Sequence, residues 1–137
     1  MTKTDRTPFT FRLDPASGIP VYRQVIDQVQ GGIATGALSR GDQLPTVRQV
    51  AVDLEINPNT VLRAYRELEI RGVLTTQQGT RTFVADRAVR EDEVERSRKL
   101  EQLVSEFVAR AGAGGYTLRE LIDSLQERAN EPEKRKK

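Results

Sequence analysis

The chain of 137 residues contains no cysteine and no histidine. It therefore cannot form disulfides, the usual thiolate and imidazole zinc sites, or catalytic sites that depend on Cys or His. No segment approaches the roughly 18 consecutive apolar residues of a membrane span. These absences predict a protein that is not an enzyme and has no metal site, no cofactor and no membrane segment.

An excess of charge of one sign is also missing. The chain has 22 Lys and Arg against 20 Asp and Glu, a net charge of +2. Residues 1–85 hold 10 basic and 8 acidic side chains, and residues 86–137 hold 12 of each. Such a balance does not by itself indicate nucleic acid. Residues 1–7 carry charges with no apolar stretch behind them, so we expect no secretory signal and a cytoplasmic location.

Hydrophobic spacing predicts three helices in the first part of the chain. Alternating residues 9–13 predict a short strand before them. The first helix follows Pro20 and ends at Gly36. Its predicted inner stripe consists of Val21, Tyr22, Val25, Ile26, Val29 and Ile33.

The next two helices are short and separated by a tight turn. Thr46 and Gln49 have the spacing of a capping box, which starts the second helix. Asn57 and Pro58 form an N-cap followed by proline, which starts the third. The third helix is expected to end near Gly72. Its predicted inward residues are Val61, Leu62, Tyr65 and Leu68.

A hairpin and two further helices complete the expected fold. β-branched and aromatic residues flank a polar, glycine-containing centre over residues 73–84, which predicts a hairpin. A helical stripe then ends at glycines 112–115, and Thr117 with Glu120 begins a last helix. We therefore predict a mainly α fold in which three helices and a β-hairpin wing form a winged helix-turn-helix at 1–85. A two-helix dimerisation segment at 86–130 and a disordered tail at 131–137 follow.

Exposed side chains on the third helix suit DNA. Asn59, Thr60 and Arg63 share the outer face near its N-terminus, the end that a recognition helix presents to base edges. Arginine can pair bidentately with guanine, and asparagine can pair with adenine. Threonine can accept or donate a hydrogen bond and can place its methyl group against that of thymine. Four residues elsewhere extend the predicted DNA-binding set: Thr46 and Arg48 as phosphate ligands, Gly79 for close approach of the wing, and Arg81 for a minor groove or phosphate.

Some residues of this region also have a purely structural interpretation. Thr46 and Asn57 are explained as helix caps, and Arg63 has the spacing to pair with Glu67 on its own helix. An acidic cluster at residues 91–95 is better explained as a solvated helix start than as a cation site, because Ca²⁺ needs about 6–8 wrapped oxygen ligands. The interpretation as a DNA-binding surface is favoured because several suitable side chains are predicted to lie together.

The apolar stripe of the last two helices predicts a dimer seam. The alternative is that four of its residues, Leu103, Val104, Phe107 and Val108, line a ligand pocket. The seam residues are Leu100, Leu103, Val104, Phe107, Val108, Leu121, Ile122 and Leu125.

From residue 19 to residue 84 the chain resembles the DNA-binding domain of the GntR family of bacterial transcription regulators. Four segments carry the resemblance: 19–25 (IPVYRQV), 41–48 (GDQLPTVR), 57–65 (NPNTVLRAY) and 79–84 (GTRTFV). The Asn-Pro-Asn-Thr-Val stretch and the short remainder are most similar to the YtrA-like subfamily, whose members end in a pair of dimerising helices.

The resemblance implies DNA contacts from the positions of Thr46, Arg48, Asn59, Thr60, Arg63 and Gly79. The wing departs from the family pattern, with Arg81 in place of a second glycine and Gln77-Gln78 in place of a basic residue. The function that we predict is a dimeric repressor that binds an inverted-repeat operator in double-stranded DNA. No effector ligand is indicated. A winged-helix module that binds another protein through its hairpin edge is the rival hypothesis.

Overall fold

Five α-helices and one β-hairpin make up the regular structure of the computed structural model, which describes residues 9–86 and 92–135. They fall into two compact units, one within 9–86 and the other within 92–134. In the described part of the chain, no helix combines the length and apolarity needed to cross a membrane. The predicted mainly helical fold, with three helices, a wing and two further helices, is confirmed.

In the first unit, the second and third helices begin directly after the predicted caps Thr46 and Asn57, and the first helix ends directly before Gly36. Their bounds are Val21–Thr35 for α1, Val47–Leu54 for α2 and Pro58–Ile70 for α3. The Thr46 hydroxyl accepts a hydrogen bond from the Gln49 amide at 3.1 Å, and the Asn57 side chain accepts one from the Asn59 amide at 2.8 Å. These bonds satisfy amides that the helices leave without acceptors.

One hydrophobic core lies between α1, α2, α3 and the hairpin. Its fully buried side chains are those of Tyr65, Ile26, Leu44, Leu68, Val25, Val29, Val50 and Val61. Two predictions for this core need correction. Leu62 is only half-buried, and Ile33 is 38% exposed near the C-terminal end of α1. Ala64, which was not predicted, is fully buried on α3.

The wing is a two-stranded antiparallel hairpin of β1, Leu74–Gln77, and β2, Arg81–Val84. The segment 41–44 pairs with the outer side of β2. The Leu44 amide donates to the Thr82 carbonyl and the Val84 amide donates to the Asp42 carbonyl, both at 2.8 Å. The chain therefore enters α2 from a backbone that is fixed to the wing.

The predicted strand at residues 9–13 is wrong, because this segment has no strand partner. Side chains of α1 hold its backbone instead. Gln28 accepts from the Arg12 amide at 2.9 Å and donates to the Arg12 carbonyl. Gln24 likewise accepts from the Asp14 amide at 2.8 Å and donates to the Asp14 carbonyl at 3.1 Å. Two side-chain amides one helical turn apart thus replace a neighbouring strand.

The second unit contains α4, Glu93–Ala113, and α5, Leu118–Arg135. Its predicted capping box is confirmed in both directions. The Glu120 amide donates to the Thr117 hydroxyl at 3.2 Å, and the Thr117 amide donates to the Glu120 carboxylate at 2.9 Å.

The backbone of α5 is helical as far as Arg135, five residues beyond the predicted boundary at residue 130. The first five residues of the predicted disordered tail are thus helical in the structure. Residues 136–137, the remainder of that tail, lie outside the described residues.

Candidate nucleic-acid interface

The N-terminal end of α3 borders an open concavity of about 430 Å³. Asn59, Thr60 and Arg63 all line it, so three of the predicted DNA-binding residues share one surface. Asn59 and Arg63 are exposed and Thr60 is half-buried. The rest of the lining comes from Asn57 and from Val21 and Tyr22 at the start of α1. The arrangement offers amide, hydroxyl and guanidinium groups to an outside ligand.

Arg63 does not make the ion pair that its spacing to Glu67 allowed. The Glu67 carboxylate accepts from Arg71 Nε at 3.1 Å. The guanidinium carbon of Arg63 instead lies 3.8 Å from the centre of the Tyr22 ring. A cation over a ring face is attracted by the negative face of the π system. Such a contact leaves the N–H groups of the guanidinium available to acceptors.

Thr46 and Arg48 lie at the start of α2, outside that concavity. Both side chains are exposed. The Thr46 hydroxyl accepts from Gln49, as its cap role requires, and its own proton is left to donate. The cap and the predicted phosphate contact are therefore compatible. The first N–H groups of a helix also have no intrahelical acceptor and favour an anion.

A buried tyrosine connects the start of α2 to α3. The Tyr65 hydroxyl donates to the Pro45 carbonyl at 2.7 Å, directly before Thr46. Burial raises the pKa of the Tyr65 phenol well above its usual value near 10, because the phenolate would be desolvated. The phenol therefore stays a neutral donor, and it fixes the distance between the two helices of the motif.

Gly79 and Arg81 lie on the exposed tip and second strand of the wing, also outside the concavity. Gly79 has φ +77°, a left-handed conformation that glycine adopts without strain, and a Cβ there would meet no atom within 4 Å. Arg81 is paired in register with Gln77 across the hairpin. The tip is thus open to a close approach, with one cation beside it.

The wing is also fastened to α3. The Thr76 hydroxyl, on β1, donates to the Glu69 carboxylate near the end of α3. Together with the pairing of residues 41–44 to β2, this contact ties the wing to both helices that carry the predicted DNA-binding residues. The seven predicted residues therefore occupy three neighbouring parts of one folded unit.

Tyr22 is the functional candidate that sequence reasoning missed. It was assigned to the inner stripe of α1, and it does pack partly against the core. The signal that distinguishes it is its position in the first turn of α1 and its amphipathic ring, which is only half-buried.

Within the described residues, the acidic cluster at the start of α4 supplies the N-cap of this helix. The Asp92 carboxylate accepts from the Glu95 amide at 2.8 Å, and Arg98 pairs with Glu95 at 2.7 Å. This ion pair holds the pKa of the Glu95 carboxyl below its usual value. Glu91 lies outside the described residues. Among the side chains that the structure describes, those of residues 9–86 and 92–130, no group of three or more Asp or Glu residues is placed to hold a metal ion.

The predicted seam residues of α4 and α5 are open to solvent in the single chain. All are exposed except Leu121, which is half-buried. No side chain between residues 92 and 130 is buried. A helix pair with an apolar stripe and no buried side chain lacks a core of its own.

Comparison with known proteins identifies the family. Residues 21–84 match the model of bacterial regulatory proteins of the gntR family. YhcF of Bacillus subtilis, an uncharacterized HTH-type transcriptional regulator, is 33% identical over 80% of this chain and 90% of its own length. The HTH-type transcriptional repressor YtrA of the same organism is 40% identical over 56% of this chain, but the match covers only 59% of that relative.

A solved structure agrees with these relatives. YtrA from Sulfolobus acidocaldarius, a GntR-family transcription factor, matches with a TM-score of 0.56 and 30% identity, over 74% of this chain and 99% of that one. The matched family segment contains α1, the helix-turn-helix and the wing, which are the elements that carry the surface described above. The chain therefore belongs to the GntR family, as a DNA-binding transcriptional regulator of the YtrA-like type rather than an enzyme.

Proposed function

We propose that the chain is a homodimeric repressor that binds an inverted-repeat operator through α3, the start of α2 and the wing. The observation that carries this proposal is the grouping of Asn59, Thr60 and Arg63 around one open surface at the N-terminal end of α3. Repression is supported by the likeness to Bacillus subtilis YtrA, which is a repressor. DNA binding of this kind requires a cytoplasmic protein.

The three parts of the surface have different tasks. Asn59, Thr60 and Arg63 read base edges in the major groove. Thr46 and Arg48 hold phosphates, which fix the register of α3 without carrying sequence information. On the wing, Gly79 allows the backbone to approach DNA and Arg81 supplies a phosphate or minor-groove contact. Because the net charge is only +2, base contacts and dimer avidity must add to a limited phosphate term.

The second copy docks on the apolar stripe of α4 and α5. Residues 86–130 form this dimerisation segment, and residues 1–85 form the DNA-binding domain. The exposed stripe supports this division, because a helix pair without buried side chains gains a core only from a partner. A dimer with two-fold symmetry binds two half-sites about one helical turn, or a multiple of it, apart.

Two arginine variants separate base reading from phosphate binding. The full chain first selects duplexes from a random-sequence pool, and the most enriched duplex becomes the probe. Arg63→Ala should weaken binding to this probe by about 1–3 kcal/mol per half-site and relax the selected sequence at one base pair. Arg48→Ala should weaken all duplexes alike and lower the salt dependence of binding by about one phosphate contact per protomer. Titrations at several salt concentrations measure both effects.

Arg12→Ala is the matched control, because Arg12 is an exposed arginine of the same unit outside the concavity and the helix-turn-helix. It should leave the selected sequence unchanged. If the pool yields no enriched sequence, the proposed operator specificity is wrong, and the result favours the rival hypothesis of a module that binds another protein. If a sequence is enriched but Arg63→Ala selects the same one as the unaltered chain, α3 does not read bases through Arg63.

A further inference from the structure

Tyr22 lies beneath the side chain that the proposed function assigns to base reading. Its ring centre is 3.8 Å from the guanidinium carbon of Arg63, and both residues line the concavity at the end of α3. The Arg63 guanidinium makes no hydrogen bond or ion pair with the other described residues. The aromatic ring is thus the one described contact that orients this exposed arginine.

We propose that Tyr22 is a positioning residue for DNA recognition, which holds the Arg63 guanidinium in place before DNA arrives. This inference rests on the proposed function. An unrestrained arginine side chain loses rotamer entropy when it docks on a base. A guanidinium already held over a ring has lost part of that freedom, so binding costs less. The contact uses the charge of the group and leaves its N–H donors for guanine.

The geometry assigns the effect to the ring and not to the hydroxyl. The cation lies over the ring centre, so phenylalanine at this position keeps the contact and leucine removes it. Cation–π contacts at exposed sites contribute about 0.5–1 kcal/mol, which corresponds to a two- to fivefold change in affinity. We therefore expect Tyr22→Leu to weaken binding to the selected duplex about two- to fivefold. Tyr22→Phe should keep most of the affinity of the unaltered chain.

A double-mutant cycle separates positioning from simple packing. If Tyr22 acts through Arg63, Tyr22→Leu has no further effect on affinity in a chain that already carries Arg63→Ala. Tyr22→Leu should also relax the selected sequence at the same base pair as Arg63→Ala, while binding to unselected duplex DNA stays unchanged. Phe9→Leu is the matched control, because Phe9 is another half-buried aromatic residue that packs against the core and lies outside the concavity.

The outcomes distinguish this inference from the proposed function. If Arg63→Ala leaves binding to the selected duplex unchanged, the assignment of Arg63 fails and the inference fails with it. If Arg63→Ala weakens binding but Tyr22→Leu does no more than Phe9→Leu, only the inference is overturned. It is likewise overturned if Tyr22→Phe is as weak as Tyr22→Leu, because the hydroxyl would then be the group that matters.

Discussion

Tyr65 shows how one side chain both stabilises the core and positions the DNA-binding surface. Its ring is almost fully buried, and its hydroxyl bonds to the backbone of Pro45, immediately before the cap of α2. Removing this hydroxyl leaves the Pro45 carbonyl without that donor while keeping the ring in place. Tyr65→Phe should therefore lower the free energy of unfolding by about 1 kcal/mol near pH 7, measured by urea denaturation.

The same variant has a distinct pH dependence. Burial raises the folded-state pKa of Tyr65 above its unfolded value near 10, so the stability linked to this group is complete below about pH 10 and is lost as pH rises further. The difference in stability between the unaltered chain and Tyr65→Phe should therefore shrink as pH rises from about 10 to about 11. A difference that stays constant over this range would contradict the raised pKa.

Single residues were predictable from sequence where their partners are close in the chain. The caps at Thr46, Asn57 and Thr117 bond to amides two or three residues away, and helix geometry fixes those distances. The partner of Arg63 was not predictable in this way. Its choice of Tyr22 over Glu67 depends on how α1 packs beside α3, which residue spacing does not encode.

At the scale of elements, the same limit explains the missing strand. Alternation at residues 9–13 is correct as a burial pattern, since Phe11 is buried and Thr10 is exposed. It does not reveal what satisfies the backbone, and here Gln24 and Gln28 do so. The attachment of residues 41–44 to β2 was missed for the same reason, because backbone pairing across the fold leaves little mark on side-chain pattern.

Two adjacent glycines of α1 should respond oppositely to the same substitution. A Cβ at Gly31 would meet no atom within 4 Å, so Gly31→Ala should raise the free energy of unfolding by about 0.5–1 kcal/mol through helix propensity alone. A Cβ at Gly32 would lie 2.9 Å from the Phe9 ring and 3.2 Å from Leu38. Gly32→Ala should therefore lower the free energy of unfolding by about 1–3 kcal/mol through overpacking.

Chemical denaturation of the two variants measures this contrast, and each serves as the control for the other. The displaced ring in Gly32→Ala also disturbs the edge-to-face contact of Phe9 with Phe11, whose ring centres are 5.0 Å apart. Equal shifts in the two variants would show that the segment at residues 9–14 does not pack on α1 as described.

At the scale of the whole molecule, the small net charge does not reveal that the two units present different kinds of surface. Three exposed arginines of the first unit, Arg48, Arg63 and Arg81, lie on the surface that we assign to DNA. Residues 86–137 instead hold 12 basic and 12 acidic side chains together with an apolar stripe. Sequence periodicity was sufficient to predict that stripe, because α4 repeats apolar residues at helical spacing. It was not sufficient to show what covers the stripe, because the spacing of apolar residues along one helix does not identify the surface that packs against it.

The proposed dimer predicts that a charge in the centre of the stripe separates the protomers. Phe107 lies on the apolar stripe of α4 and is 46% exposed in the single chain. Phe107→Glu should weaken dimerisation at least about 30-fold, or 2 kcal/mol, as loss of a buried aromatic anchor does at protein interfaces. Sedimentation equilibrium over a range of protein concentrations measures this change.

Ala109→Glu, on the exposed opposite side of α4, is the matched control and should sediment as the unaltered chain does. Affinity for a single half-site should be the same in both variants, whereas affinity for the inverted repeat should fall only in Phe107→Glu, because only that variant loses avidity. An unaltered chain that sediments as a monomer, or a Phe107→Glu variant that remains a dimer, would show that this stripe is not the seam.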